Sequence, residues 1–185
     1  YVIAARLVSL PNSDQMFLVT IGNDETASDC EKPNPTPTTV PRSLRVFDSQ
    51  GGQSLYSWKL DASTIQPKLV VWAPADTADV RSIRIAVSLA DGKPGGGVDV
   101  YRPGATSPRR LSQPFAIGMD RIGAMNQLGL SAYQSFSLVD AHDGRLVRSI
   151  DLTSQLPRSE FIFAAAGFSE RPSLVAVTTR ELTQP

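Results

Sequence analysis

The sequence predicts an all-β chain, read as a partial β-propeller of about three to four degenerate, WD40-like blades. Three observations carry this reading. Short apolar or alternating runs broken by Gly, Pro, Asn and Asp recur along the chain, the pattern of strands joined by tight turns. No stretch sustains a helical apolar period with caps at both ends. A strand pattern also repeats at steps of 45 residues when Ala86, Ser131 and Ala176 are taken as equivalent points. Such a period, with four short strands per repeat, is the spacing of propeller blades, which stack because one blade cannot cover both of its own faces.

Taken in order, strands are expected over residues 16–21, 44–48, 54–60, 69–72, 83–89, 98–101, 136–139, 146–152, 161–166 and 174–178. The opening residues 1–5 are strand-like too, and a helical turn over 154–158 is cut short by Pro157. One repeat copy is 17–22 followed by 44–48; the next are 83–89 with 98–101 and 128–133 with 136–140, and a fourth begins at 174–178. The step from Val19 to Ala86 is 67 residues, and its excess is a polar insertion over 26–41 carrying Pro33, Pro35, Pro37 and Pro41. Blade-like units are therefore expected at about 1–65, 66–115, 116–160 and 161–185, with the insertion inside the first. Val19, Ala86, Ser131 and Ala176 should occupy equivalent inner strands, each paired with the strand that follows. The alternative architecture is a β-sandwich or barrel, which would put Ala86 and Ser131 on neighbouring strands of one sheet. No Trp-Asp or Gly-His pair marks the repeat, so a standard WD40 array is not expected.

Composition narrows the function. The 185 residues are 41% apolar, with eighteen basic and eighteen acidic side chains that cancel. No basic block exists to neutralise phosphates, so neither nucleic acid nor an anionic lipid surface is an expected direct partner. No apolar run approaches the length of a membrane-spanning helix. Cys30 is the single cysteine and there is no Asn-x-Ser/Thr acceptor site, which favours a reducing compartment. The chain starts without Met and stops just after a strand; it reads as part of something longer.

Candidate chemistry is sparse. His142, the only histidine, lies in Asp140-Ala141-His142-Asp143-Gly144. Asp140, His142 and Asp143 could in principle hold a metal, but zinc wants three or four ligands and no second cluster completes the set. Asp-Gly between two strand-like runs fits a hairpin turn better. The Gly-rich run 91–97 resembles a phosphate loop only superficially: Lys93 precedes Pro94, and a strand follows where a phosphate site needs a helix. Cys30 sits beside Asp29 and Glu31, whose charges oppose thiolate formation. Asp24, Glu25, Asp48 and Asp91 are expected as hydrated acids at strand ends. Trp58, Trp72, Phe47, Phe136, Phe161 and Phe163 are expected to pack between blades, and Arg109-Arg110 to form a small exposed basic spot. No catalytic, cofactor-binding or metal residue is assigned, and no cofactor is expected.

One stretch resembles a known family. Phe17-Leu18-Val19-Thr20-Ile21-Gly22-Asn23-Asp24-Glu25, a variable loop, then Leu44-Arg45-Val46-Phe47-Asp48 is similar to the N-terminal propeller of the vacuolar protein sorting 11 family. Ile85-Ala86-Val87-Ser88-Leu89-Ala90-Asp91-Gly92 and Gly167-Phe168 with Leu174–Glu181 follow in the same order, whereas the middle, 105–158, departs from the pattern. The resemblance implies a non-catalytic interaction scaffold in a subunit of the HOPS and CORVET vesicle-tethering complexes. It would be cytoplasmic and peripheral on endosome and vacuole (lysosome) membranes, with other tethering subunits as partners. That family's helical solenoid and zinc-binding RING module have no counterpart in these residues. Two other readings stand beside it: a generic propeller or sandwich binding domain of an exported bacterial protein, and part of a propeller enzyme whose His and carboxylates come from other blades.

The insertion yields the first prediction. Four prolines and many polar side chains cannot form a ladder or bury much area, so limited proteolysis should nick residues 26–41 first. Deleting them should change stability little; a loss of several kcal/mol on denaturant titration would contradict the loop assignment.

Overall fold

The computed structural model describes residues 2–24, 41–60, 67–74, 78–88, 97–111, 118–122, 127–132, 134–142, 144–158, 160–168 and 171–181. Most of the insertion lies outside these residues. The described chain is β throughout apart from one 3-10 turn, Val80–Ser82.

The first sheet is an antiparallel meander, β1 (Val2–Ser9), β2 (Met16–Asn23), β3 (Arg42–Asp48) and β4 (Ser54–Leu60), paired in chain order. Alternation divides its faces. Val19, Ile21, Leu44 and Val46 are wholly buried on one side, each stabilising the fold by about 1.5–3 kcal/mol. On the other side the register sets Leu7 beside Leu18, Leu18 beside Phe47 and Thr20 beside Arg45. Here Leu7 is 66% and Val2 60% exposed.

The second sheet runs β5 (Leu69–Trp72), β6 (Arg84–Ser88), β7 (Val98–Tyr101), β8 (Arg109–Leu111). The 3-10 turn before β6 starts on Asp79, whose Oδ1 accepts from the Arg81 N–H at 2.9 Å. Arg84 closes it, its Nη1 donating to the Ser82 carbonyl at 2.6 Å and to those of Arg81 and Ile83. Burial, then the charge of Arg102, hold the Arg84 guanidinium below the usual arginine range. Every residue of β7 is buried, including Asp99.

The third sheet comprises β9 (Gly118–Arg121), β10 (Gln127–Ala132), β11 (Ser135–Asp140) and β12 (Leu146–Asp151), and a two-stranded sheet pairs β13 (Glu160–Phe168) with β14 (Arg171–Glu181). Ile122, Phe136, Leu138 and Ile162 form a buried cluster, joined by Ile150, Leu152 and Leu156. By compactness the chain divides into two units: Tyr1–Val87 with Tyr101–Pro108, and Ser88–Val100 with Arg109–Pro185. In the first unit β1 lies beside β5; in the second, β13 lies beside β9 and β10.

Several sequence expectations are adjusted. β8 and β9 escaped the strand pattern because they are short and polar, Arg109-Arg110-Leu111 and Gly118-Met119-Asp120-Arg121. Residues 154–158 form turns, with the Gln155 and Leu156 N–H groups both donating to the Leu152 carbonyl, and no helix follows. Val19, Ala86, Ser131 and Ala176 each lie on the second strand of a sheet, β2, β6, β10 and β14, in four separate sheets. Pairing refines the alignment: Ile21 faces Leu44 as Ser131 faces Phe136, so Ile21 rather than Val19 is the counterpart of Ser131. A two-residue offset leaves the side chain on the same face.

The repeat extends to hydrogen bonds. In the hairpin joining β3 to β4, the Asp48 N–H donates to the Gln53 carbonyl at 3.0 Å, the Gly52 N–H to the Asp48 carbonyl at 2.9 Å, and the Gln50 N–H to Asp48 Oδ1 at 3.0 Å. In the hairpin joining β11 to β12, Asp140, Gly144, Arg145 and His142 make the same three bonds at 2.9, 2.7 and 2.6 Å. Gly52 (φ 64°) and Gly144 (φ 74°) take the left-handed conformation that closes each turn. The register shift also falls one residue before the aspartate in both, at Phe47 and at Val139.

Gly129 on β10 is fixed by space. A Cβ there would lie 2.7 Å from the Phe136 ring and 2.9 Å from Ile122 Cγ1, so the aromatic ring occupies the volume that a side chain would take. A glycine-to-alanine change ordinarily helps a strand. Gly129→Ala is instead expected to destabilise by about 1–3 kcal/mol through overpacking, read as a lower denaturant midpoint at unchanged m-value. A neutral or stabilising result would mean that the ring moves freely.

Candidate functional site

The best-formed concavity in the first compact unit is a groove of about 540 Å³ on the half-open face of the first sheet. Its apolar wall is Val2, Leu7, Leu18 and Phe47; its polar floor includes Thr20, Ser43 and Arg45. Asp24, at the end of β2, organises that floor. Its Oδ2 accepts from the Ser43 hydroxyl at 2.5 Å, and its Oδ1 accepts from Arg45 Nη2 at 2.5 Å. Ser43 and Arg45 alternate with the buried Leu44 and Val46, so β3 presents Ser43, Arg45 and Phe47 to this face while Leu44 and Val46 enter the core. The Asp24 N–H also donates to the Pro41 carbonyl at 2.8 Å, which pins both ends of the insertion.

Asp24 is thus a structural latch, and the other carboxylates read as hydrated acids divide. Asp48 caps a turn, while Glu25 and Asp91 lie outside the described residues, as do Cys30, Lys93 and Asp143. His142 lies on the hairpin turn, exposed; its backbone carbonyl accepts from Arg109 Nη1 at 2.5 Å. Arg109 and Arg110 are both exposed, as expected of a basic spot, and each also makes a contact of its own. Arg110 forms a bidentate pair with the buried Asp99, from Nε to Oδ1 and from Nη2 to Oδ2, the latter at 3.1 Å, and Arg109 braces the turn of His142. Spacing across a hairpin could have revealed the pair, since Asp99 and Arg110 face each other in the β7–β8 register. Gly97 leaves room for it: a Cβ there would come within 2.9 Å of Arg110 Cδ.

Trp58 stacks on Tyr56 at 6.1 Å, meets Tyr101 at 5.5 Å, and donates Nε1–H to the Ala105 carbonyl at 3.1 Å. Trp72 and Phe136 are buried, whereas Phe47 borders the groove; the side chains of Phe161 and Phe163 lie outside those described. No group of three or more His, Cys, Asp or Glu residues that could hold a metal ion occurs among the described residues. No helix there is long and apolar enough to cross a membrane.

Fold and groove define an all-β protein of consecutive four-stranded antiparallel meanders. No family model and no curated protein matches the sequence. Among solved structures, the uncomplexed acylaminoacyl peptidase of Pyrococcus horikoshii is similar over 88% of this chain, with a TM-score of 0.51 and 10% identity. The chain spans 27% of that structure's length. At such identity the likeness concerns the fold alone.

The latch is testable. Asp24→Ala leaves the Ser43 hydroxyl and the Arg45 guanidinium without their acceptor. Because Arg45 is 42% exposed, water screens the ion pair, and the expected loss is about 1 kcal/mol. A double-mutant cycle with Arg45→Ala should show coupling that weakens in high salt. Additive effects would show that the two side chains do not support each other.

Proposed function

We propose that this chain is a run of β-propeller blades that serves as a non-catalytic protein-interaction scaffold. The single observation that carries the architecture is the shared hairpin. The same aspartate, left-handed glycine, hydrogen bonds and register shift join the third and fourth strands of two separate sheets, with Asp48 and Asp140 lying 92 residues apart. That distance is two steps of about 46 residues, within the blade range. The placement of β1 beside β5, and of β9 beside β13, adds support, since the first strands of successive sheets meet, as first strands do around a propeller axis.

The interaction role draws on what the grooves offer. Carboxylates such as Asp24 and Asp99 are engaged in structural pairs, and the groove on the first sheet has an apolar wall over a floor whose charged groups pair with each other, which suits a packed surface better than a reacting group. The tethering assignment, in a subunit that acts at endosome and vacuole membranes from the cytoplasm, draws on the resemblance of residues 17–25 and 44–48. Of these, residues 17–23 and 44–48 pair as β2 and β3, and Asp24 forms the latch. A propeller domain attached to a hydrolase is the second reading, favoured by the fold likeness to the peptidase.

Affinity purification of the full-length protein from its own cells separates the two. Stoichiometric recovery of other tethering subunits, surviving high-salt washes, is the expected result. A hydrolase domain in the same reading frame, with no tethering subunit recovered, would overturn it.

A further inference from the structure

A second groove lies at the end of the first compact unit where three turns converge. The β1–β2 connection and the start of β2 supply Gln15 and Met16, the Asp48 hairpin and the start of β4 supply Asp48 and Leu55, and the 3-10 turn supplies Asp79. The Ser49 N–H donates to the Met16 carbonyl at 3.3 Å and fixes the first two turns to each other. The groove encloses about 430 Å³. Two features distinguish it from the groove on the sheet face. Its walls come from turns at the strand ends, so packing of another sheet against the face would leave it open. Its charge is also one-sided: among the described residues the lining carries two carboxylates, Asp48 and Asp79, and no cation.

Both carboxylates are already held. Asp48 Oδ1 accepts from Gln50 N–H and Asp79 Oδ1 from Arg81 N–H, so each is oriented by its own turn. Each Oδ2 has no hydrogen-bond partner among the described residues. The same lining holds two large apolar side chains in water, Met16 at 48% and Leu55 at 38% exposure. A site with fixed acceptors beside exposed thioether and aliphatic groups complements a strand or loop that alternates Lys or Arg with aliphatic residues. It repels phosphate and anionic lipid. Two separated carboxylates supply too few oxygens for calcium, which takes six to eight.

We propose that this turn-built groove docks a basic, aliphatic-containing peptide segment of a partner protein. Cationic side chains meet the outer oxygens of Asp48 and Asp79, and an aliphatic side chain covers Met16 and Leu55. The inference deepens the scaffold reading and rests on it, naming the chemistry of one partner surface.

Fluorescence anisotropy on the full-length protein tests it with three labelled eight-residue probes: alternating Leu-Lys, alternating Leu-Glu and alternating Ser-Lys. The Leu-Lys probe should bind at least about tenfold more tightly than either control, and should weaken severalfold as salt rises. Asp48→Asn with Asp79→Asn keeps both turn acceptors while removing the charge. At unchanged melting temperature that pair should weaken Leu-Lys binding by about tenfold, the product of two exposed ion pairs. Met16→Gln with Leu55→Gln, both at exposed positions, should cost a similar factor. Equal binding of Leu-Glu or Ser-Lys, variants that bind like the parent, occupancy of the groove by a second copy, or no binding at millimolar probe would each overturn the assignment. Recovery of tethering subunits, measured in parallel, tests the scaffold reading separately: subunits recovered without probe binding would refute this groove alone.

Discussion

A four-stranded antiparallel meander has two faces and, among the described residues, no α-helix to cover either. Everything else in the structure answers that constraint. In the third sheet Leu128, Leu130, Met119 and Val139 are buried on one side, and Phe136 and Leu138 on the other, so its inner strands bury apolar side chains on both faces while β12 stays largely exposed. The first sheet meets the demand on one side only. Its buried face holds four side chains at zero exposure, while Leu7 and Val2 stand in water across the sheet. Burying an apolar residue is favourable in proportion to area, and a sheet that satisfies half of its potential in this way is built to receive something on the other half.

Register converts that demand into specific residues. A slip of one position would exchange the two faces of a strand, sending Val19 and Ile21 outward and Thr20 inward. The aspartate hairpins oppose such a slip. Each ties the aspartate N–H to the residue five positions on and places a left-handed glycine four positions on. Gly144 answers a second demand as well, since a Cβ there would sit 2.9 Å from Leu111 Cδ2. One turn design therefore serves both local conformation and packing, which explains why the same residue types recur 92 residues apart in otherwise different sheets.

The sequence made the strand-rich class legible because β-branched and aromatic residues alternate between turn residues, and that signal is local. The repeat spacing alone placed the Asp48 and Asp140 strands in corresponding positions. It did not reveal β8 or β9, because Arg109, Arg110, Asp120 and Arg121 hide short strands whose pairing comes from their neighbours. Arg109 and Arg110 are at the surface as the sequence suggests, but only the hairpin register shows that Arg110 pairs with Asp99. The two-residue error at Val19 arose because apolar runs align equally well at any even offset. The Asp24 floor was hidden by distance in sequence, nineteen residues to Ser43 and twenty-one to Arg45.

These placements sort the carboxylates by what they are free to do. A buried carboxylate has to be paired or it costs several kcal/mol, so Asp99 holds Arg110 on both of its oxygens. Asp24, half-buried, is spent on Ser43 and Arg45. Asp151 uses Oδ1 to accept from both the hydroxyl and the N–H of Thr153, which lowers its pKa while leaving it in water. Asp48 and Asp79 differ from all of these. Each gives one oxygen to a backbone N–H and keeps the other directed away from that bond, at the rim of a groove with no cation in its lining. A turn-capping acid is rigid without being neutralised. Rigid and uncompensated charge beside exposed Met16 and Leu55 is where recognition has the least ordering entropy to overcome.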